Sequence, residues 1–236
     1  MVSNTVTTTK AFLKMKFPGT VQIYRRIREV RESLHRPSMG LVFSDIYRHN
    51  LWGDPQSVSG RGSTLERTEA IRSALPALLK SVSARTLLDA PCGDFNWLQH
   101  VNLEGIDYTG ADVVPELITR NRQMHGADGR TFLVADLTRD ALPKVDVILC
   151  RDCFIHLSFR DIFAALRNFK RSDSAFLLAT THIDLAANDD APTGGWRSVN
   201  LQLSPFNFPP PRQLIVEDVE LGKCVGLWNL KDMVGR

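Results

Sequence analysis

The fold of this chain is decided by the stretch Thr86-Leu-Leu-Asp89-Ala-Pro-Cys-Gly93-Asp94-Phe95 and by the stretch Tyr108-Thr-Gly-Ala-Asp112 that follows it. Each stretch contains an apolar strand that ends in a carboxylate, and Gly93 lies in the turn after the first strand. Asp112 follows Asp89 by 23 positions, which suits a strand, helix and strand unit. Parallel strands place such acids at one edge of a sheet, where open α/β sheets bind nucleoside-containing ligands. The pattern therefore predicts a site for an adenosyl ligand.

Three further apolar runs also end in polar groups, at residues 132–137, 145–152 and 176–182. Continuous apolar runs between helical segments are typical of strands covered on both faces. The sequence pattern predicts helices at residues 115–124 and 158–169. Residues 212–217 and 224–230 can form a closing pair of strands. Successive strands therefore end in polar groups at the same edge of the predicted sheet.

Two signatures in the chain resemble a bacterial-type family of class I S-adenosylmethionine-dependent methyltransferases. They are Asp89-Ala-Pro-Cys-Gly-Asp-Phe-Asn-Trp97 and Cys150-Arg-Asp-Cys-Phe-Ile-His-Leu-Ser158. The resemblance extends from Trp52 to Trp228, about three quarters of the chain. It implies S-adenosyl-L-methionine as the cofactor and S-adenosyl-L-homocysteine as the product. A nicotinamide-dependent oxidoreductase more often has G-x-G-x-x-G after its first strand, which this chain lacks.

The resemblance also implies a fold. We expect an α/β, Rossmann-like sheet of seven mostly parallel strands with helices on both faces, and an antiparallel last strand next to the fifth. Residues 39–236 would form this methyltransferase domain, with a lid and pre-strand helix at 39–80 and an acceptor-side insertion at 184–211. In the first of these segments, Ser63 and Glu66 have the spacing of a capping box, which predicts a helix start at Ser63.

Residues 1–38 are predicted to form a basic, helical N-terminal extension. Eight Lys or Arg residues fall within residues 1–36, against two Glu residues. Three interpretations stay open: a helix packed on the catalytic domain, a peripheral membrane or polyanion contact through residues 10–36, and a targeting segment. The rest of the chain is slightly acidic, so the basic character belongs to this extension.

The resemblance assigns cofactor-binding roles to side chains at the strand ends. Asp112 would accept hydrogen bonds from both ribose hydroxyls, and Asp136 would bind the adenine amino group. The backbone of the turn at Gly93 would lie close to the methionine part of the cofactor. The complete set is Trp52, Asp89, Pro91, Cys92, Gly93, Asp94, Trp97, Asp112, Val113, Asp136, Leu137 and Arg151.

Catalytic candidates follow the fourth and fifth strands, where methyltransferases commonly place residues that face the acceptor. We expect Asp152 or His156 to position the acceptor or remove its proton, with His182 next. A structural role for each of these side chains stays open. The segment from residue 188 to 211 is rich in Gly, Pro, Asn and aromatic residues, and long irregular loops of this kind are usually functional or disordered. Its aromatic content argues against disorder, and its candidates for an acceptor pocket are Trp196, Arg197, Asn200 and Gln202.

No metal is predicted. Cys150 and Cys153 have the spacing of a redox or zinc half-site, but no second ligand pair follows at a matching distance. A divalent cation held by Asp152 with Asp184 or Asn188 is a weaker alternative. The scattered cysteines and the lack of an apolar run of about 20 residues favour a reduced, cytoplasmic protein.

The expected function is methyl transfer to an oxygen of a small molecule or of a sugar. A nucleic acid is not an expected acceptor, because an N-P-P-Y-type amine pocket is absent and the catalytic part is not basic. Two alternatives remain: a protein of the same fold that only binds a cofactor or ligand, and a protein methyltransferase.

Overall fold

The computed structural model describes residues 38–233. Its centre is a seven-stranded sheet in the order β3-β2-β1-β4-β5-β7-β6. The first five strands pair in parallel, and β7 runs antiparallel to β5 and β6. The strands are β1 Thr86–Asp89, β2 Asp107–Asp112, β3 Arg130–Val134, β4 Val147–Cys150, β5 Phe176–His182, β6 Gln213–Asp218 and β7 Lys223–Asn229. The predicted Rossmann-like fold, with an antiparallel last strand next to the fifth, is confirmed.

Helices cover both faces of the sheet. In chain order they are α1 Met39–Arg48, α2 Glu69–Ser81, α3 Pro115–His125 and α4 Phe159–Arg171. Pro115 is the first residue of α3. A backbone N–H at this position has no hydrogen-bond partner within the helix, so proline loses no hydrogen bond there. Ser158 caps α4, because its hydroxyl accepts the N–H of Asp161. The sequence therefore marks the beginning of both helices locally.

The two faces of the sheet bury two separate cores. Neighbouring strand residues point to opposite sides, so Leu87 packs with α2 while Leu88 packs with α4. No helix or strand occurs between β5 and β6, yet this segment contributes buried side chains to the α4 face: Val199, Leu201, Phe206 and Phe208. The irregular segment therefore covers part of this face of the sheet.

Two local predictions are wrong. Ser63 ends the short 3₁₀ turn Arg61–Ser63, and α2 begins only at Glu69. The carbonyl of Ser63 accepts a hydrogen bond from the side-chain amide of Asn96, so the chain here is bound to the turn after β1 instead of starting a helix. The third strand ends at Val134, since its pairing with β2 stops there, and Asp136 lies beyond it.

The predicted N-terminal extension lies outside the described residues apart from Ser38, and so does the predicted membrane contact of residues 10–36. In the span 38–233, none of the helices combines the length and apolar character that crossing a membrane requires.

Candidate active site

A cavity of about 390 Å³ opens at the carboxyl edge of the sheet. It is bounded by the ends of β1, β2, β4 and β5, by α1, and by the segment 52–63. Fifteen of the residues predicted for cofactor, catalysis or acceptor line it: Trp52, Asp89, Pro91, Cys92, Gly93, Asp94, Trp97, Asp112, Val113, Leu137, Arg151, Asp152, His156, His182 and Trp196.

Asp112 lies at the end of β2 with its carboxylate fixed by the backbone. Oδ2 accepts the N–H of Gly93 at 3.1 Å, and Oδ1 accepts that of Val114 at 3.0 Å. Burial raises the pKa of Asp112 to about 6, against the lowering effect of these bonds. A carboxylate offers roughly four acceptor positions, so about two remain for hydroxyl groups. This chemistry suits a ribose.

Asp89, at the end of β1, is held in a different state. It is buried, and the Tyr108 hydroxyl donates to its Oδ2 at 2.9 Å. Burial raises the pKa of Asp89 to about 8, because it outweighs the Tyr108 hydrogen bond. The carboxyl group is therefore mostly protonated at neutral pH, and a cationic group beside it would favour ionisation.

The turn after β1 binds the segment predicted as a lid. Gly93 has a φ of +53°, and a Cβ there would stand 2.2 Å from the Ser59 hydroxyl. The carboxylate of Asp94 accepts hydrogen bonds from the hydroxyls of Ser57 and Ser59 and from the N–H of Val58. Asp94 therefore holds this segment over the cavity, a role that its place in the motif did not reveal.

His156 lines the cavity from the turn after β4. Its ring stacks on Trp52 with centroids 4.8 Å apart, and its Nδ1 lies 2.8 Å from the carbonyl oxygen of Gly195. A carbonyl can only accept, so in the neutral ring Nδ1 carries the hydrogen and Nε2 keeps a lone pair. Burial lowers the pKa of His156, and the Gly195 bond offsets this only in part. The ring is a neutral base with a fixed tautomer.

Asp152 belongs to a cluster of two cations and two carboxylates, which we term the ion cluster: Arg151, Asp152, Glu217 and Lys223. Lys223 lies 2.7 Å and Arg151 3.2 Å from Oδ2 of Asp152. The same cations lie 3.2 and 2.7 Å from the Glu217 carboxylate. Burial opposes ionisation of Asp152, but the two cations prevail and lower its pKa to about 2. Asp152 is therefore a fixed negative charge.

Sequence reasoning missed Lys223 and Glu217. Because β7 runs antiparallel, its first residue lies at the carboxyl edge of the parallel strands, where Lys223 pairs with His182 of β5. His182 is buried, and burial lowers its pKa. The antiparallel last strand, which was foreseen, is the signal that could have placed Lys223 at the site.

Three residues predicted for the acceptor pocket do not line the cavity. Arg197 donates to the carbonyl oxygens of Phe154 and Leu157, and so ties the irregular segment to the turn after β4. The Asn200 side chain accepts the N–H of Gln202 at 3.0 Å, and its amide lies 3.4 Å from two backbone carbonyls. Only Trp196 of the four candidates reaches the cavity.

Asp136, expected at the adenine, does not line the cavity either. Its carboxylate accepts the N–H and hydroxyl of Thr138 and pairs with Arg139. Asn188, a candidate metal ligand, uses its amide on the backbone of Asn200 and Ser204. Among residues 38–233, no three His, Cys, Asp or Glu side chains cluster in a way that could hold a metal ion. All four cysteines are buried free thiols.

Several solved structures of methyltransferases have the same fold. Human N-acetylserotonin methyltransferase, in complex with SAM, aligns with a TM-score of 0.56 at 14% identity over 79% of this chain and 58% of its own. Magnesium protoporphyrin IX methyltransferase from Synechocystis PCC 6803, with bound SAM, aligns with a TM-score of 0.55 at 12% identity, over 82% of this chain and 96% of its own. The 1,6-didemethyltoxoflavin-N1-methyltransferase of Burkholderia thailandensis aligns with a TM-score of 0.53 at 15% identity, over 80% of this chain and 86% of its own. This chain thus spans little more than half of the human enzyme.

No curated protein sequence matches this chain. A family model described as a methyltransferase domain does match, over residues 64–216. The match includes the turn at Gly93, both acids that end β1 and β2, and the turn that carries His156. The chain therefore belongs to the methyltransferase domain family and has the fold of the class I S-adenosylmethionine-dependent methyltransferases.

Proposed function

We propose that this protein transfers the methyl group of S-adenosylmethionine to an oxygen atom of a small molecule. The observation that carries the proposal is the fixed tautomer of His156, which leaves a neutral, unprotonated Nε2 on a ring that lines the cavity. Two of the structural relatives are described with bound SAM and one with S-adenosylhomocysteine, which supports the choice of cofactor.

The half of the cavity at β1 and β2 would hold the cofactor. Asp112 has acceptor positions for ribose hydroxyls, and Asp89 would pair with the amino group of the methionine part. Val113 and Leu137 offer apolar surface beside Asp112 for the adenine. When bound, S-adenosylmethionine supplies a methyl group on a positively charged sulfur.

The other half of the cavity would activate the acceptor. His156 Nε2 takes the proton of the acceptor hydroxyl, and general-base catalysis of this kind contributes on the order of 10²–10⁴-fold in rate. The negative charge of Asp152 raises the pKa of His156 and so favours the imidazolium that forms. The pKa of about 2 makes Asp152 a poor base at neutral pH, so we assign it this electrostatic role.

Two irregular parts of the chain would enclose the reaction. The segment 52–63, held by Asp94, covers the cavity from one side, and the insertion at 184–211 brings Trp196 to it. Exclusion of water strengthens the interaction between Asp152 and His156, because electrostatic interactions grow as the local dielectric constant falls.

The test is a comparison of His156→Asn with the unchanged protein. We expect S-adenosylhomocysteine affinity within twofold of the unchanged protein, and methylation of a panel of hydroxylated small molecules, followed by mass spectrometry, to fall at least 100-fold. Nitrogen NMR of the imidazole provides a readout besides activity, with Nδ1 protonated and Nε2 unprotonated at pH 7. The opposite tautomer would contradict the assignment of the base. Cofactor binding without methylation of any acceptor would favour the alternative of a protein that only binds the cofactor.

A further inference from the structure

Some of the apolar side chains that line the cavity remain open to solvent. Trp196 is 62% exposed and Leu221 is 56% exposed, although both line the cavity. They come from separate segments, the insertion after β5 and the turn between β6 and β7. Phe43 and Tyr47 of α1 line the same cavity. Large apolar side chains that remain exposed around a cavity indicate a surface for an apolar ligand.

The buried charges beside His156 are paired with one another. The ion cluster contains two cations and two carboxylates, each paired with the opposite charge. His156 and His182 are neutral at neutral pH, since burial lowers both pKa values. A charged acceptor placed here would lose its hydration, while the buried side-chain charges beside it are already paired with one another. Arg61 also lines the cavity, but it is exposed to solvent, which screens its charge. The site therefore favours a neutral acceptor.

Among the described residues, no amide side chain suited to the many hydroxyls of a sugar lines this space. Asn200 and Gln202 lie outside the cavity, and the Asn200 side chain is engaged by the backbone. Trp52, stacked on His156, presents an aromatic wall instead. Flat rings pack on such walls with a gain beyond their buried area.

We propose that the acceptor is a neutral aromatic alcohol, whose ring is held by Trp196 and Leu221 and whose hydroxyl reaches His156. This inference rests on the proposed function, since it names the class of molecule that His156 would deprotonate. It narrows the acceptor from small molecules and sugars in general to phenol-like compounds.

The experiment is calorimetric titration of three probes into protein saturated with S-adenosylhomocysteine. The probes are 2-naphthol, its charged relative 6-hydroxy-2-naphthoic acid, and methyl β-D-glucoside. We expect 2-naphthol to bind at least tenfold more tightly than either of the others. We expect Trp196→Ala and Leu221→Ala each to weaken 2-naphthol binding at least fivefold and to leave S-adenosylhomocysteine binding unchanged.

Val219→Ala is the matched control. Val219 is 80% exposed in the same turn as Leu221 but does not line the cavity, so its replacement should change neither affinity. If S-adenosylhomocysteine itself fails to bind, the proposed function fails and this inference with it. If S-adenosylhomocysteine binds but the naphthoic acid or the glucoside binds as tightly as 2-naphthol, the proposal of a neutral aromatic acceptor is refuted while the proposed function stands. The same holds if Val219→Ala weakens 2-naphthol as much as Leu221→Ala does.

Discussion

Replacement of Gly93 by alanine tests how the turn after β1 is built. At its φ of +53°, an alanine costs about 1–2 kcal/mol in backbone strain. The new Cβ would also stand 2.2 Å from the Ser59 hydroxyl, which must move away. That hydroxyl donates to the Asp94 carboxylate at 3.2 Å and accepts the Asp94 N–H at 3.0 Å. Loss of one charge-assisted and one neutral bond costs about 2–4 kcal/mol, so the total is roughly 3–6 kcal/mol.

A double-mutant cycle with Ser59→Gly separates the two contributions. In that background the hydroxyl is already absent, so Gly93→Ala should cost only the strain of about 1–2 kcal/mol. The coupling between the two positions is then about 2–4 kcal/mol. Gly105→Ala is the matched control, because Gly105 has a φ of +75° and open space around its Cβ position.

The assay is urea denaturation of all variants, with the midpoints compared at a shared m-value. Gly105→Ala should cost about 1–2 kcal/mol whether or not Ser59 is present. If Gly93→Ala destabilises the protein equally with and without Ser59, then Ser59 does not occupy the turn, and our account of how the segment 57–59 is held is wrong.

Two further predictions concern charge and the irregular segment. Between pH 5.5 and 7.5 the folded protein keeps a proton on Asp89, with its pKa of about 8, that the unfolded chain has lost at its ordinary value of 3.8. As the pH rises from 5.5 to 7.5, the free energy of unfolding measured with urea should therefore fall by about 1–3 kcal/mol more in the unchanged protein than in Asp89→Asn. An equal fall in the two proteins would refute the protonated state of Asp89. Arg197→Ala should lower stability by about 1–3 kcal/mol through loss of its carbonyl bonds, and should leave 2-naphthol affinity unchanged in titration. If Arg197→Ala binds 2-naphthol more weakly but is as stable as the unchanged protein, then Arg197 contributes to the acceptor pocket after all.

The sequence was sufficient for the sheet and for the acids at its edge. Long apolar runs fixed the strands because both faces of the sheet are buried, and the run at residues 176–182 coincides with β5. Parallel pairing then brings Asp89 and Asp112 to one edge without any further information. The fold and the two acids at this edge of the sheet follow from these local patterns.

The other half of the site depends on contacts between residues far apart in the chain. The tautomer of His156 is set by a carbonyl 39 positions later. Lys223 reaches Asp152, 71 positions away, only through the register of β7. Hydrogen bonds to Asp94 fix the Ser59 segment, which has no periodic pattern that sequence reasoning could use. Such contacts depend on tertiary packing, so strand and helix patterns do not reveal them.

The most direct test of the central claim is calorimetric titration with S-adenosylmethionine, with NAD(H) and NADP(H) as rival ligands. We expect micromolar binding of the sulfonium ligand alone. Asp112→Ala should weaken it more than tenfold, since a lost charge-assisted hydrogen bond costs about 1.5–3 kcal/mol. The control Asp107→Ala, at the exposed opposite end of β2, should bind as the unchanged protein does. No binding of S-adenosylmethionine, or equal affinity in the Asp112 variant, would contradict the account.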